Sequence, residues 1–279
     1  MPPRRLRLDA ELVRRKLARS REHASELIAA GRVTVQGVRA TKPATAITTD
    51  VAIVVRADEE RPDYVSRGGH KLAGALRAFA SGGLSAQGRR CLDAGASTGG
   101  FTDVLLRAGA AEVVAVDVGY GQLAWSLQSD ARVHVHDRTN IRELTTELIG
   151  GPVDLVVGDL SFISLTLVLD ALLGVTSPDG DLALMVKPQF EVGKDRVGKG
   201  GVVRDPDLRA EAVLTVADAA GQRGWGAVAA TTSPLPGPSG NVEFFLWLRR
   251  GPRTVEAEAV HRLVRGDDPW AVADERVET

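Results

Sequence analysis

The regular alternation of short apolar strands with helices after residue 66 constrains the fold more than any other feature of the sequence. The predicted strands are CLDAG, EVVAVDV, RVHVHD, VDLVVGDL, DLALMVKP, WGAVAATT and VEFFLWLRR, and the predicted helices lie at about 66–80, 101–108, 121–129, 141–149, 163–174 and 205–222. This order predicts an α/β fold with a seven-stranded, doubly wound, mostly parallel sheet. Only a short proline-rich loop precedes the last strand, which favours an antiparallel pairing there.

The first 42 residues differ in charge from the rest of the chain. They hold eleven Lys and Arg against four Asp and Glu, a net charge of +7, whereas the remaining residues hold 24 against 32, a net charge of −8. The segment is also patterned as a small α+β domain. Asp9 and Ser20 are placed to cap two helices, and Gly31 to end the second. Gln36-Gly37 is placed to turn a hairpin.

These features divide the chain into four parts. We predict a small domain at 1–55, a linker at 56–65, a larger domain at 66–253 and a C-terminal tail at 254–279, with a short helix in the tail.

A basic folded segment on an acidic body is typical of a nucleic-acid-binding domain, because cations bind backbone phosphates largely irrespective of base sequence. The alternative is a solvated basic tail. The candidate RNA contacts in this segment are Arg4, Arg5, Arg7, Arg14, Arg15, Lys16, Arg19 and Arg21. A second basic segment, the loop 193–206, holds four cations and four glycines. We interpret it as a mobile lid that contacts RNA through Lys194, Lys199 and Arg204, the alternative being a disordered surface loop.

The segment CLDAGASTGGFTDVLL joins the first strand of the sheet to a helix through a glycine-rich turn. Glycines allow the backbone to approach a ligand closely and place it against the helix N-terminus. The acid that opens this turn would repel a pyrophosphate, but it suits a cationic amino group such as that of S-adenosylmethionine (SAM). The candidate ligand contacts are Asp93, Gly95, Ser97, Gly99, Gly100 and Phe101, followed by Asp117 and Asp137 at the ends of the next two strands.

Three of these interpretations have alternatives that the residues leave open. The glycine-rich turn could be purely structural. Asp117 could hold the ribose hydroxyls of NAD as well as those of SAM. Asp137 could cap a helix before Ile141.

Four charged residues fall where strands and helices reach one edge of the predicted sheet: Lys71, Asp159, Lys187 and Glu243. The chain uses only 6 lysines against 29 arginines, so a lysine at the end of an apolar strand suggests a need for deprotonation, which arginine does not offer. A second cation nearby lowers a lysine pKa. We therefore predict Lys187 as a general base, Lys71 as the cation that lowers its pKa, and the two carboxylates as groups that orient them. The alternative for each residue alone is a salt bridge at the sheet edge.

Several classes of protein fit this sequence poorly. It has no uncharged apolar run of about 18 residues and no secretory signal, so we expect a cytoplasmic protein without a membrane span, and not a pore-forming haemolysin. Its single cysteine, Cys91, provides neither a disulfide framework nor a cysteine-rich metal site, and we predict no bound metal. Cys91 begins an apolar strand, which favours a buried thiol over the nucleophile of a cytosine-C5 methyltransferase. The remaining alternative is a non-catalytic RNA-binding protein with a SAM pocket.

The N-terminal run RLDAELVRRKLARSREHASELIAAGRVTVQGVRATKPATAI resembles the RNA-binding domain named after ribosomal small-subunit protein four. The order Lys, Asp, Lys, Glu resembles the catalytic tetrad of FtsJ-type ribose methyltransferases. Further runs are similar to the TlyA family: VSRGGHKLAGAL, CLDAGASTGGFTDVLL, DVGYGQLAWSL, DLSFISL, VKPQFEVGK and GPSGNVEFFLWL.

This resemblance implies a Rossmann-like SAM-dependent methyltransferase that acts on cytidine 2′-hydroxyls of 16S and 23S rRNA in the 30S and 50S ribosomal subunits. The chain departs from the family before the SRG run, where Tyr64 stands in place of the usual Trp. The DLSF run also lacks the paired prolines that follow the fourth strand in amine methyltransferases acting on bases.

Overall fold

The computed structural model describes residues 5–56, 62–267 and 270–272. The chain forms two compact units, Met1–Asp63 and Tyr64–Thr279. Half of the predicted linker 56–65, residues 57–61, lies outside the described residues, so the predicted domain limits stay predictions.

The first unit packs two helices against short antiparallel strands. Its elements are β1 (Arg5–Arg7), α1 (Leu8–Arg14), α2 (Arg21–Ala29), β2 (Val33–Val35), β3 (Val38–Arg39), β4 (Ala46–Thr48) and β5 (Ile53–Val55). Strand β2 lies between β3 and β5, and β1 pairs with β4. The apolar faces of both helices meet the strands in one core that includes Leu8, Leu12, Leu27, Ile28 and Val33.

The turn chemistry of this unit was largely predictable. Ser20 caps α2 by accepting a hydrogen bond from the His23 amide, and Gly31 follows the helix with φ of +71°. Gln36 and Gly37 both have positive φ, as a tight hairpin turn between β2 and β3 requires. The predicted cap at Asp9 is wrong, because α1 begins one residue earlier, at Leu8.

The second unit is a three-layer α/β structure. Its elements are α3 (Gly68–Phe79), β6 (Arg90–Ala94), α4 (Gly100–Arg107), β7 (Glu112–Val116), α5 (Trp125–Gln128), β8 (Val133–His136), β9 (Val153–Gly158), α6 (Leu169–Val175), β10 (Thr176–Val186), α7 (Pro188–Glu191), α8 (Pro206–Gly221), β11 (Trp225–Thr232), β12 (Phe244–Arg250), α9 (Ala257–Arg265) and β13 (Trp270–Val272).

The sheet order is β13-β11-β12-β10-β9-β6-β7-β8. Strands β10, β9, β6, β7 and β8 are parallel, and β12 runs antiparallel between β10 and β11. The prediction of a doubly wound sheet with an antiparallel last strand is therefore confirmed for the seven predicted strands. The short strand β13, which lies in the predicted tail, adds an eighth strand at the edge beside β11.

The sheet is buried on both faces, as its almost continuously apolar strands require. One face packs against α6, α8 and α9, and the other packs against α3 and α4. The two hydrophobic cores fix the strands, so the residues at the carboxyl ends of β6, β9 and β10 have defined positions.

Two predicted helices are shorter than expected or absent. The helix predicted at 121–129 is reduced to α5, and the one predicted at 141–149 is a single 3-10 turn, Ile141–Glu143. Leu144 after that turn is extended, and the next two residues are β-branched threonines, which disfavour a helix. Within the described residues, no helix has the length and apolar character that crossing a membrane requires.

Candidate active site

The glycine-rich turn after β6 is held open by unusual backbone angles. Gly95 and Gly99 have φ of +84° and +97°, and Ser97 between them has φ of +47°. The amides of Gly95 and Ala96 donate hydrogen bonds to the carbonyl of Val116, which ties the turn to the end of β7. The turn therefore presents backbone and small side chains, not bulky groups, at the carboxyl edge of the sheet.

Gly100, the first residue of α4, allows this turn to approach α3 closely. A Cβ atom at this position would lie 2.2 Å from Ser66 Oγ and 2.8 Å from the amide nitrogen of Gly69. The second of these contacts is with backbone, so it could be relieved only by moving α3. The Ser-Arg-Gly-Gly run and the glycine-rich turn thus fit each other as one structural unit.

A cavity of about 330 Å³ opens between this turn and the ends of β9 and β10. Its lining residues are Ser66, Arg67, Gly68, Lys71, Gly95, Ala96, Ser97, Thr98, Gly100, Phe101, Asp159, Ser161, Lys187, Pro236 and Pro238. Three of the four predicted catalytic residues and four of the eight predicted ligand contacts line one cavity.

The fourth predicted catalytic residue, Glu243, completes an ion pair with Lys71. Glu243 Oε2 lies 2.5 Å from Lys71 Nζ, and the two residues are only 1% and 8% exposed. Strand pairing places Glu243 here, because Phe244 pairs with Val186 at the end of β10. The residue that precedes β12 therefore reaches the edge where Lys187 follows β10.

The second ion pair joins the ends of two neighbouring parallel strands. Lys187 Nζ lies 2.6 Å from Asp159 Oδ1 and donates a hydrogen bond of 2.7 Å to Ser161 Oγ. Lys187 is 7% exposed. The site thus holds two lysines, each paired with a carboxylate. The sequence predicted that these four residues share one site, but not which acid pairs with which lysine.

The loop that follows Asp159 is held in place by hydrogen bonds to the carboxylate of Glu191. One carboxylate oxygen of Glu191 accepts a hydrogen bond from the Leu165 amide at 2.9 Å, and the other accepts one from Ser164 Oγ at 2.5 Å. Burial raises the pKa of this carboxyl group. Glu191 lies four residues after Lys187, so its hydrogen bonds connect the chain segments on both sides of the second ion pair.

Asp93 does not take the place expected for it. Its side chain is wholly buried and does not line the cavity, and its Oδ2 accepts a hydrogen bond of 2.7 Å from Thr102 Oγ1. Within the described residues, Oδ1 has no hydrogen-bond partner. Burial is the main reason that the pKa of Asp93 rises to about 7. This geometry does not offer the direct contact with a ligand amino group that the sequence suggested.

The other two acids predicted to bind the ligand support the loops around the glycine-rich turn. Asp117 accepts hydrogen bonds from the amides of Ser97 at 2.8 Å and Gly119 at 2.7 Å. Asp137 accepts one from the Gly121 amide at 2.9 Å. The alternative role of Asp137 as a helix cap is wrong, since Asn140 caps the 3-10 turn at Ile141. Asp117, Asp137 and Gly99 lie outside the cavity lining.

Several lining residues were missed by sequence reasoning. Ser66 and Arg67 belong to the conspicuous SRGG run, so their motif was a usable signal, whereas the two prolines of the Pro-Gly-Pro loop carry no chemical signal. Nothing in the sequence distinguished Ser161 from other loop serines, whereas in the structure its hydroxyl accepts a hydrogen bond from Lys187. Cys91 is buried, and burial raises the pKa of its thiol to about 12, which excludes it as a nucleophile.

Many of the predicted RNA-binding cations in the first unit also have structural partners. Arg7 and Arg21 pair with Asp9, and Arg14 and Arg15 pair with Glu11. The hydrogen bonds from Arg14 are the main reason that the pKa of Glu11 falls to about 2. Arg15 also donates to the carbonyls of Thr49 and Val51, so it is the least available for phosphate. Lys16 and Arg19 are exposed, and so is Arg5, while Arg4 lies outside the described residues.

The loop 193–206 is folded and anchored, so the prediction of a mobile lid is not supported. Gly198 and Val202 form a β-bridge across the loop. The buried side chain of Asn241 accepts a hydrogen bond from the Val203 amide at 2.9 Å and donates one to the Gly201 carbonyl at 2.8 Å. The three predicted RNA contacts of the loop 193–206 are exposed: Lys194, Lys199 and Arg204.

Comparisons with known proteins agree with this architecture. A model of the FtsJ-like methyltransferase family matches residues 64–250, and a model of the S4 domain matches residues 6–53. The Mycobacterium tuberculosis (strain H37Rv) protein named 16S/23S rRNA (cytidine-2′-O)-methyltransferase TlyA is 62% identical over 94% of this chain and 98% of its own length. YqxC of Bacillus subtilis, described as a candidate rRNA methyltransferase, is 42% identical over 89% of this chain and 87% of its own.

Among solved structures, a Streptococcus thermophilus protein described as a candidate hemolysin superimposes with a TM-score of 0.71. It is 35% identical and covers 95% of this chain and 96% of its own. The structural similarity thus extends along nearly the whole length of both chains.

Proposed function

The chain belongs to the FtsJ-like methyltransferase family, and we propose that it transfers the methyl group of SAM to 2′-hydroxyls of cytidines in 16S and 23S ribosomal RNA. The observation that carries this proposal is the meeting of two lysine–carboxylate pairs, Lys71–Glu243 and Lys187–Asp159, at a cavity bounded by the glycine-rich turn. A base beside a donor pocket is what methylation of a hydroxyl requires, because the oxygen must lose its proton.

The residues around the cavity fit SAM. The cavity lies outside the carboxyl ends of the strands beside a helix N-terminus, where ligands of open α/β sheets bind, and its volume lies in the range of small-molecule sites. We infer that Gly95, Ser97 and Gly100 hold the methionine part. We also infer that Asp117, which accepts the amide of the lining residue Ser97 from beside the cavity, uses its remaining acceptor capacity for the ribose hydroxyls. SAM supplies a methyl group on a sulfonium. Within the described residues, no cluster of His, Cys, Asp and Glu could hold a metal ion.

The two lysines perform different tasks in this proposal. The proton of the 2′-hydroxyl passes to Lys187 Nζ, the oxygen electron pair forms the new O–CH₃ bond, and the electrons of the broken S–CH₃ bond stay on sulfur. Lys71 stabilises the negative charge that develops on the oxygen. Asp159 and Glu243 orient the lysines and balance their charge in a largely buried site. A positioned general base contributes about 10²–10⁴-fold to such a step.

We propose that the S4 domain contributes the contacts with rRNA in the 30S and 50S subunits, which places the enzyme in the cytoplasm. The exposed cations Arg5, Lys16 and Arg19 support this role in the first unit. Arg7, Arg14 and Arg21 keep more than half of their side-chain surface exposed despite their ion pairs, so they can also reach phosphate. On the second unit, the exposed cations of the loop 193–206 are suited to the same task.

The proposal is tested by Lys187→Ala and Lys187→Arg, assayed for tritium transfer to isolated 30S and 50S subunits and for SAM binding by calorimetry. We expect both variants to bind SAM normally and to lose at least 10²-fold in transfer, because arginine keeps the charge but cannot act as a base. Mass-spectrometric mapping should locate the product on cytidine ribose. Near-normal turnover of Lys187→Ala would refute the assignment of the base. SAM binding without transfer by the unaltered protein would favour a non-catalytic RNA-binding protein.

A further inference from the structure

We propose that Ser161 is a positioning residue that orients the amine of Lys187 towards the ribose hydroxyl. This inference rests on the proposed function, since it gives Ser161 a role in the same proton transfer. Ser161 lines the cavity together with Lys187 and Asp159 and has no assigned role in the reaction described above.

The argument begins with the valence of the lysine nitrogen. A neutral amine has two N–H bonds and one lone pair besides its bond to carbon. Lys187 Nζ donates a hydrogen bond of 2.7 Å to Ser161 Oγ, whereas its ion-pair partner Asp159 Oδ1 lies 2.6 Å away and accepts no hydrogen bond within the described residues. With one N–H held by Ser161 and the other turned towards the Asp159 carboxylate, the lone pair is the position that remains for the 2′-hydroxyl in the cavity. With Asp159 alone, the amine could rotate about its Cε–Nζ bond and place an N–H where the lone pair is needed.

The backbone holds the serine in this place. Asp159 and Ser161 are two residues apart after β9, and both side chains reach Lys187. The next residue, Phe162, has φ of +65°, a conformation that is rare for an aromatic residue. Its ring contacts that of Phe190, three residues beyond Lys187, with a centroid separation of 5.3 Å. The chain therefore keeps a strained turn directly after Ser161 and ties it to the segment that carries the lysine.

The remaining surroundings of Lys187 leave the serine hydroxyl as the directional hydrogen-bond acceptor of this amine. The Phe190 ring lies 5.9 Å from Lys187 Nζ and offers a π face, not a directional acceptor for an N–H. Glu243, the other carboxylate of the site, is paired with Lys71. Ser161 is thus the neutral acceptor that fixes the amine without adding a second negative charge beside Lys187.

The test compares Ser161→Ala with Ser161→Thr, which keeps the hydroxyl. The matched control is Ser81→Ala, an exposed serine in the 3-10 turn that follows α3, ten residues beyond Lys71 in the chain. Transfer to ribosomal subunits gives kcat and the KM for RNA, calorimetry gives the Kd for SAM, and tryptophan fluorescence gives the melting temperature.

We expect Ser161→Ala to lower kcat about 10-fold, the loss typical of one functional hydrogen bond, with an unchanged Kd for SAM and an unchanged KM for RNA. Ser161→Thr should recover most of kcat, and Ser81→Ala should match the unaltered protein. The inference is overturned if Ser161→Ala keeps full kcat, if threonine fails to restore kcat in a folded variant, or if only the KM for RNA changes. If the unaltered protein methylates neither subunit, the proposed function itself fails, independently of Ser161.

Discussion

The raised pKa of Asp93, at the start of the glycine-rich turn, can be tested through the pH dependence of stability. Its carboxyl group is wholly buried, and its pKa is about 7 against a usual value of 3.8. At pH below 3.8, the acid is protonated in both the folded and the unfolded chain and has no effect on stability. Between 3.8 and 7, the unfolded chain ionises while the folded chain stays protonated, so the free energy of unfolding decreases as the pH rises. Above pH 7 the loss is complete.

The size of this loss follows from the difference between the two pKa values. A difference of about 3 corresponds to about 4 kcal/mol, at 1.36 kcal/mol for each pH unit. Asp93→Asn mimics the protonated acid and keeps an oxygen that can accept the hydrogen bond from Thr102. We therefore expect the variant to equal the unaltered protein in stability near pH 4, and to exceed it by about 2–4 kcal/mol at pH 8.

The assay is urea unfolding from pH 4 to 8.5, followed by tryptophan fluorescence. All four tryptophans lie after residue 63, so the signal reports on the second unit. Other titrating groups contribute equally to both proteins and cancel in the difference between their unfolding free energies. A difference that stays constant over this pH range would refute the reasoning and would show that Asp93 is ionised in the folded protein throughout.

Two further predictions concern the packing that supports the site. Gly100→Ala should weaken SAM binding at least 10-fold by calorimetry, because the new Cβ meets the backbone of α3. The control Gly174→Ala, whose Cβ would meet nothing within 4 Å, should leave the affinity unchanged, and equal affinities of the two variants would refute this reasoning. Glu191→Ala should lower kcat about 10-fold because the buried Leu165 amide loses its acceptor, whereas Glu191→Gln should retain most activity. A fully active alanine variant would show that the hydrogen bonds of Glu191 are not needed for activity.

The sheet and its site edge could be predicted because they depend on signals that are local in the sequence. Apolar runs of strand length mark β6, β9 and β10, and a polar residue directly after such a run must lie at the carboxyl edge. Asp159 and Lys187 were placed at one site on this basis alone. The short helix α5 was overestimated, since apolar spacing does not show how many residues a loop takes before the helix begins.

Side-chain partners could not be predicted, because they depend on distances between segments far apart in the chain. The arginines at positions 7 and 14 look like free cations in the sequence, and only the packing of α1 reveals their pairing with buried acids. For Asp93, the sequence suggested a ligand contact that the packing does not allow. Its position at the end of β6 indicates a ligand contact, but the helix that follows covers its side chain and leaves the backbone of the turn to face the cavity.

The antiparallel strand β12 shows how topology and chemistry are connected in this fold. Glu243 is 172 residues away from Lys71, and it meets that lysine because it precedes a strand that runs opposite to β10. If β12 were parallel to its neighbours, its first residue would lie at the opposite edge of the sheet, and Lys71 would be a buried cation without a carboxylate. An uncompensated buried charge costs several kcal/mol, so the direction of this strand is a condition for keeping Lys71 charged in the site.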